Sequence, residues 1–148
     1  MQTQPGTYAL VLVSCSHQLI QIGKLGRLAV QSGYYVYVGS AFGPGGLKAR
    51  IAHHVKISRR PHWHIDYLRS VLHLNEVWYT YDSKRQEHRW ADLLRCLRGA
   101  TIPIEGFGAS DCSCKSHLFA FTAQPSIRSF RRRLCTHSKV HEKVFLKK

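Results

Sequence analysis

A chain of 148 residues is long enough to bury one core and too short for two good ones. Its 22 Lys plus Arg stand against 8 Asp plus Glu, a net charge of +14 with histidine counted neutral; this argues against an indifferent surface and for a polyanionic partner, nucleic acid before anionic membrane. No apolar run approaches the roughly 20 residues of a membrane helix, the opening MQTQPGTY lacks the marks of a secretory leader, and five cysteines are an odd set for a disulfide framework, so a soluble cytoplasmic protein is expected.

In chain order, YALVLVSCS at residues 8 to 16 is rich in aliphatic and β-branched residues and reads as a buried strand. LIQI and RLAVQSG flank Gly23 and Gly26, which predicts two short antiparallel strands before another at Tyr34 to Val38. A turn of one proline and three glycines follows. Leu47, Ile51 and Val55 then repeat at helical spacing, so a helix runs from about Gly46 to Lys56. HWHIDYLRSVL predicts a second short helix, NEVWYTYDS a strand, and QEHRWADLLRCLRG a helix closed by Gly99. The stretch IPIEGFGASDCSCKSH is a loop, and LFAF at Leu118 to Phe121 is a last strand. This order predicts a small α/β or α+β domain, a mainly antiparallel sheet flanked by helices.

From Thr122 onward the composition changes, with eight Lys plus Arg against Glu142 alone, a net +7. The expected division is a domain over residues 1 to 121 and a basic extension over 122 to 148. RSFRRRLC, with Arg131, Arg132 and Arg133, suggests a basic helix that grips phosphates, the rest staying loose until an anion orders it. The first 121 residues still carry +7, so the extension does not account for all the charge.

Several side chains are candidates for chemistry. In a strand Tyr35, Tyr37 and Gly39 share a face, and Gly39 leaves room for something to approach the backbone. Arg50 and His54, four apart on a helix, are neighbours, with Lys48 and Lys56 on other faces. A guanidinium fork matches two phosphate oxygens at once. Glu87 falls on the side of Ala91 and Leu94, the apolar stripe of its helix, where a surface acid would not sit; an inward carboxylate needs a partner, and a divalent ion is one. The dull alternatives are half-buried strand tyrosines, a solvated arginine, and a first-turn glutamate on the helix dipole with Ser83 and Gln86 as a capping box.

His62-Trp63-His64-Ile65-Asp66 resembles the His-x-His-x-Asp of metallo-β-lactamase-type hydrolases. There a second histidine follows the aspartate, whereas here Tyr67 does. In a helix His62 and Asp66 share a face, and the segment with His64 reads as a brace or a nucleic-acid contact. Cys112-x-Cys114 with His117 offers three zinc ligands, and a closed site would need Cys15 or Cys96 as a fourth. The plainer reading is a loop whose Ser110, Asp111, Ser116 and His117 line a cleft.

Gly6-Thr7-Tyr8, Tyr37-Val38-Gly39, Leu47-Lys48-Ala49-Arg50 with His54, and Glu87 opening a helix together resemble the GIY-YIG nuclease superfamily. YVYVGSAFGPGGLKARIAHH, HWHIDYL and GFGASDCSCKSHLF resemble, more narrowly, a prokaryotic branch related to the front domain of the UvrC repair nuclease and to intron homing endonucleases. The likeness covers roughly residues 6 to 121. It implies a one-metal phosphodiester hydrolysis in which Tyr8 or Tyr37 helps deprotonate water, Arg50 stabilises phosphate charge, His54 assists one turn on, and Glu87 holds Mg²⁺ or Mn²⁺. A free tyrosine, with a pKa of about 10, is a poor base at neutral pH, so Arg50, His54 and the metal are expected to favour its phenolate. Thr7 stands where the family usually has an aliphatic residue, the turn at Phe42 to Gly46 is longer than in UvrC-type relatives, and Ser40 stands where some relatives carry a lysine, which leaves the identity of the base open.

The implied activity is a DNA endonuclease, with no membrane role. Gly39, Ser40, Lys48, His62, His64, Asp66, Ser110, Asp111, His117 and Arg131 to Arg133 are the expected nucleic-acid contacts; phosphate contacts scarcely separate DNA from RNA. Two rivals read the same features as a non-catalytic nucleic-acid-binding accessory or a zinc-stapled RNA-associated protein.

Overall fold

The structure is a computed structural model and describes residues 1–137 and 142–148. The first strand, β1 (Gly6–Ser14), is the middle of a five-stranded sheet and is buried on both faces, which is why it reads as an unbroken apolar run. Its neighbours are β4 (Gly33–Ala41) and β5 (His73–Thr80); β6 (Leu118–Phe121) lies outside β4, and β7 (Phe145–Lys147) outside β5. All four pairings are antiparallel. The hairpin β2 (Gln18–Ile22) and β3 (Gly26–Val30) forms a separate two-stranded sheet. With α1 (Gly46–Val55), α2 (His64–Arg69), α3 (Glu87–Arg95) and α4 (Ile127–Thr136), the fold is α+β. Among the described residues no helix is long and apolar enough to cross a membrane.

Alternation along the strands sorts the core into two layers. Tyr8, Leu10 and Leu12 of β1 join Tyr35 of β4 on one face, covered by Leu47 and Ile51 of α1, Ile65 and Leu68 of α2, the hairpin, and Phe107. Ala9 and Val11 join Val36, Val38 and Trp78 on the other face, under Trp90 and Leu94 of α3 and Phe130 and Leu134 of α4. The basic segment expected as an extension outside the domain, a helix followed by loose chain, therefore supplies core: Phe130 is fully buried, Val144 belongs to the same cluster, and β7 pairs with β5. Its charges hide an amphipathic helix whose apolar positions need α3 to cover them. Glu142 binds it further, accepting from Arg89 Nη1 at 3.2 Å and Trp90 Nε1 at 3.1 Å.

Element ends differ from expectation where side chains intervene. β4 extends to Ala41 because β1 pairs with it over its whole length, which carries Gly39 into the ladder opposite Tyr8. α2 begins only at His64, because Asp66 accepts from the backbone N–H groups of His62 and Trp63, each at 3.0 Å, and so fixes the helix start. The capping box of Ser83 and Gln86 does not form. Asp82 takes the N–H of Lys84 and the Gln86 amide instead, and the Gln86 backbone N–H donates to Thr7 Oγ1 at 3.0 Å. That last bond ties the start of α3, and with it Glu87, to the start of β1. α3 ends at Arg95, before Gly99, which turns the chain afterwards with φ +82.

Candidate functional site

Where β1, β4, α1 and α3 approach one another they wall a cleft of about 510 Å³. Tyr8 enters from β1 and Tyr37 from β4, with ring centroids 6.4 Å apart. Each phenol lies against a glycine. A methyl group on Gly39 would stand 2.5 Å from the Tyr8 hydroxyl oxygen, and one on Gly108, where φ is also +68, would stand 2.9 Å from the Tyr37 ring. The room at Gly39 expected for an approaching group is thus taken by Tyr8.

His54, buried on α1, is hydrogen-bonded through Nε2 to the Tyr8 hydroxyl at 2.7 Å. Two neighbours hold the end of α1 in place. Arg69 donates to the carbonyls of His54 (2.8 Å) and Leu72, and Asp66 binds Nε2 of His53 at 2.9 Å. Burial raises the Asp66 carboxyl, but its bonds from the His62 and Trp63 backbone and from His53 outweigh this and hold it below the usual range.

Arg50 lies over the Trp63 ring, 4.3 Å from its centroid, a cation–π contact that orients the guanidinium plane. Across the cleft Arg85 lies over Phe42 at 4.9 Å and reaches Ser40 Oγ at 3.3 Å. Glu87, mostly buried, faces the same space; its Oε1 is 3.9 Å from Arg85 Nη1 and 3.7 Å from His88 Nε2, too long for direct hydrogen bonds. His64 Nδ1 accepts from the Gly108 N–H at 2.9 Å, which places the proton of its neutral ring on Nε2.

Burial works against one expectation. Burial, with the neighbouring Tyr37, raises Tyr8 well above the ordinary tyrosine value, and burial pushes Tyr37 up to about 12; Arg50 acts in the opposite direction without prevailing. His54 is no cation either, because burial, helped by His53 and Arg50, pulls it down to about 3. Both phenols are protonated at neutral pH and His54 is a neutral imidazole. Its buried Nδ1 has no partner among the described residues.

Of the residues singled out from sequence, Tyr8, Tyr37, Gly39, Ser40, Arg50, His54, His62, His64, Glu87, Ser110, Asp111 and His117 line this one cleft. Lys48, Asp66 and Ser116 do not; Ser116 is buried, with its hydroxyl spent on the Leu118 backbone. Lys48 points off another face of α1, and Asp66 is spent on His53 and two backbone groups rather than facing a ligand. Arg131, Arg132 and Arg133 are also outside it, on α4 in the layer across the sheet from Tyr8, where Arg131 donates to the Val144 carbonyl. Trp63, Arg85, His88 and Cys112 line the cleft without having been singled out as nucleic-acid or catalytic groups. A signal existed for each of the first three: an aromatic between two histidines, and two basic residues flanking Glu87 in sequence.

The loop wall carries a second cluster. His88, Cys112, Cys114 and His117 bring one ligand atom each within 4.8 Å of one another. Cys15 and Cys96, the expected fourth ligands, are exposed and outside the group; His88 takes that place. Burial and the adjacent Cys112 push the Cys114 thiol up to about 11.

The chain belongs to the family described as domain of unknown function DUF123, whose model matches residues 7–140. Neither the curated proteins nor the solved structures give a significant match.

Proposed function

We propose that this DUF123 protein is a metal-dependent endonuclease that hydrolyses phosphodiester bonds in DNA, as its resemblance to the GIY-YIG nucleases implies. The observation that carries the reading is the shared cleft: two phenols, an imidazole, a guanidinium and a carboxylate from β1, β4, α1 and α3 face the same space. A structural role asks for none of these to meet.

Arg50, its plane set by Trp63, and Arg85 beside Ser40 are placed to clamp the non-bridging oxygens of a phosphodiester from two sides. The neutral His54 gives the Tyr8 hydroxyl a destination for its proton at Nε2. Tyr8 then takes a proton from the attacking water as it passes its own to His54, so no free phenolate is required. The negative charge of a bound phosphate opposes the influence of Arg50 and His53 on His54 and makes the imidazole a better acceptor.

Glu87 suits a hard divalent ion. It is an oxygen donor with no direct hydrogen bond to a cation, open to a space large enough for the waters Mg²⁺ keeps. Glu87 would hold Mg²⁺ or Mn²⁺ there, and the ion would supply charge stabilisation to the reacting phosphate. Arg132 and Arg133 on α4, in the layer across the sheet from the cleft, offer a separate basic surface to backbone phosphates, and five free thiols suit a reducing, cytoplasmic setting.

The test is nicking of supercoiled plasmid with Mg²⁺ or Mn²⁺, comparing wild type with Glu87→Gln and running a matched RNA in parallel. Loss of nicking in the variant supports the reading; equal nicking by both overturns it. The second reading, a nucleic-acid-binding accessory, draws on the burial that keeps both phenols protonated. Salt-sensitive binding without cleavage under either metal favours it.

A further inference from the structure

Apart from the carboxylate of Glu87, the described residues bring two thiols and two imidazoles together at the edge of the cleft. Cys112 Sγ lies 3.4 Å from His117 Nε2, and Cys114 Sγ lies 3.0 Å from His88 Nδ1. A tetrahedral zinc site, with Zn–S of about 2.3 Å and Zn–N of about 2.0–2.1 Å, sets its ligand atoms roughly 3.3–3.8 Å apart. The four atoms, all within 4.8 Å of one another, need only small side-chain adjustments to enclose such an ion. We propose that His88, Cys112, Cys114 and His117 form a closed, structural zinc site that pins the loop before β6 to the first turn of α3.

The donor set selects the metal. Two thiolates and two imidazoles match zinc, whereas Mg²⁺ takes oxygen ligands, so this ion is distinct from any held at Glu87. Four protein ligands leave no open position for water, which makes the site structural. The remaining contacts are those of a supported ligand shell. The His117 backbone N–H donates to the Phe107 carbonyl at 2.8 Å, and its carbonyl accepts from Val38 N–H at 2.9 Å, fixing that ligand against β4.

The loop has a reason to need an ion. From Ile102 to His117 it has no helix or strand of its own, and between Ile102 and Lys115 only Phe107 and Ala109 are buried, with Ile102 and Ile104 half-buried against the core. A stretch of this length is rarely held by packing alone. Yet it supplies Gly108, Ser110 and Asp111 to the cleft, and Gly108 sits against Tyr37. A zinc bridge to α3 holds that wall beside Glu87.

Elemental analysis of the full chain, purified without chelator and dialysed with zinc, is expected to give one zinc per molecule. Cobalt added to chelator-stripped wild type is expected to give tetrahedral absorption with a thiolate-to-cobalt charge-transfer band, a readout that requires no variant to fold. Cys112→Ser and Cys114→Ser should each lose stoichiometric zinc, whereas Cys15→Ser, at an exposed cysteine outside the cluster, should keep it. Substoichiometric zinc in wild type with no charge-transfer band overturns the proposal, as does full zinc retention in the Cys112→Ser/Cys114→Ser double variant. These measurements do not involve cleavage, so zinc and nuclease readings stand or fall separately.

Discussion

The Tyr8 hydroxyl and His54 Nε2, 46 positions apart, are hydrogen-bonded at 2.7 Å inside a buried pocket. The bond joins the middle strand of the sheet to the last turn of α1, and the phenol it holds rests on the bare backbone of Gly39. Burial makes the histidine a weak base and strengthens the tyrosine's hold on its proton, so in the unliganded cleft the proton stays on the phenol, and moving it calls for the charges that substrate and metal bring.

Tyr8→Phe keeps the ring and removes the hydroxyl. Plasmid cleavage should fall by roughly 10²–10⁴-fold, the span of general acid–base contributions. The stability loss should stay near 1–3 kcal/mol, the cost of leaving a buried partner without its bond. Nicking rates and thermal melts on the same preparations check both; wild-type cleavage by the variant sinks the proton relay.

Gly39→Ala places a methyl group 2.5 Å from the Tyr8 oxygen. The phenol must move, at a cost of about 1–3 kcal/mol for overpacking, and cleavage should drop as far as in Tyr8→Phe. A urea melt that matches wild type, with full nicking, contradicts the packing of Tyr8 on Gly39.

Stability should fall on acidification. His54 titrates near 3 in the folded chain against 6.5 for an ordinary histidine, so between these values the unfolded chain binds a proton that the folded chain does not. The folded state therefore loses ground as pH drops from about 6.5 toward 3, at no more than about 1.4 kcal/mol per pH unit for this group. Burial lowers His64 and His117 as well, so His54→Gln should flatten the slope without abolishing it. Chemical denaturation at pH 7.5 and 5 is the measurement, and an unchanged slope in the variant counts against the buried neutral imidazole.

Phe130→Ala removes a fully buried ring of α4 that meets Trp90 edge-on at 5.0 Å and Trp78 at 5.4 Å. A loss of about 3–5 kcal/mol is expected, and a chain cut after Phe121 should not fold, since β7, α4 and Glu142 go with it. A soluble, cooperatively melting truncation would show that the basic segment is separable.

Much of this was legible in the residues. LFAF at Leu118 to Phe121 marks β6 to the residue, and the spacing of Leu47, Ile51 and Val55 marks α1, because short-range periodicity states which face meets the core. Charge misled at the other end. Arg131 to Arg133 make α4 look like a solvated basic helix outside the domain, while Phe130 and Leu134, four apart, carry its buried stripe. Asp66 was placed on a ligand-facing surface because its backbone and His53 partners come from a turn and a helix whose juxtaposition no local pattern encodes.

By itself the chain's pattern determined β1 to β6, the helices, the net positive charge and the inventory of ionisable side chains, since each follows from periodicity, turn residues or side-chain type, whereas β7 follows only from its pairing with β5. Only the tertiary structure decided that Trp63 orients Arg50, that His88 joins the two cysteines, and that Tyr8 and Tyr37 are protonated. Those outcomes depend on burial and on distances between groups far apart in the chain. A proton's affinity and a ligand's geometry are set by what folding places within a few ångströms, and sequence spacing does not carry that information.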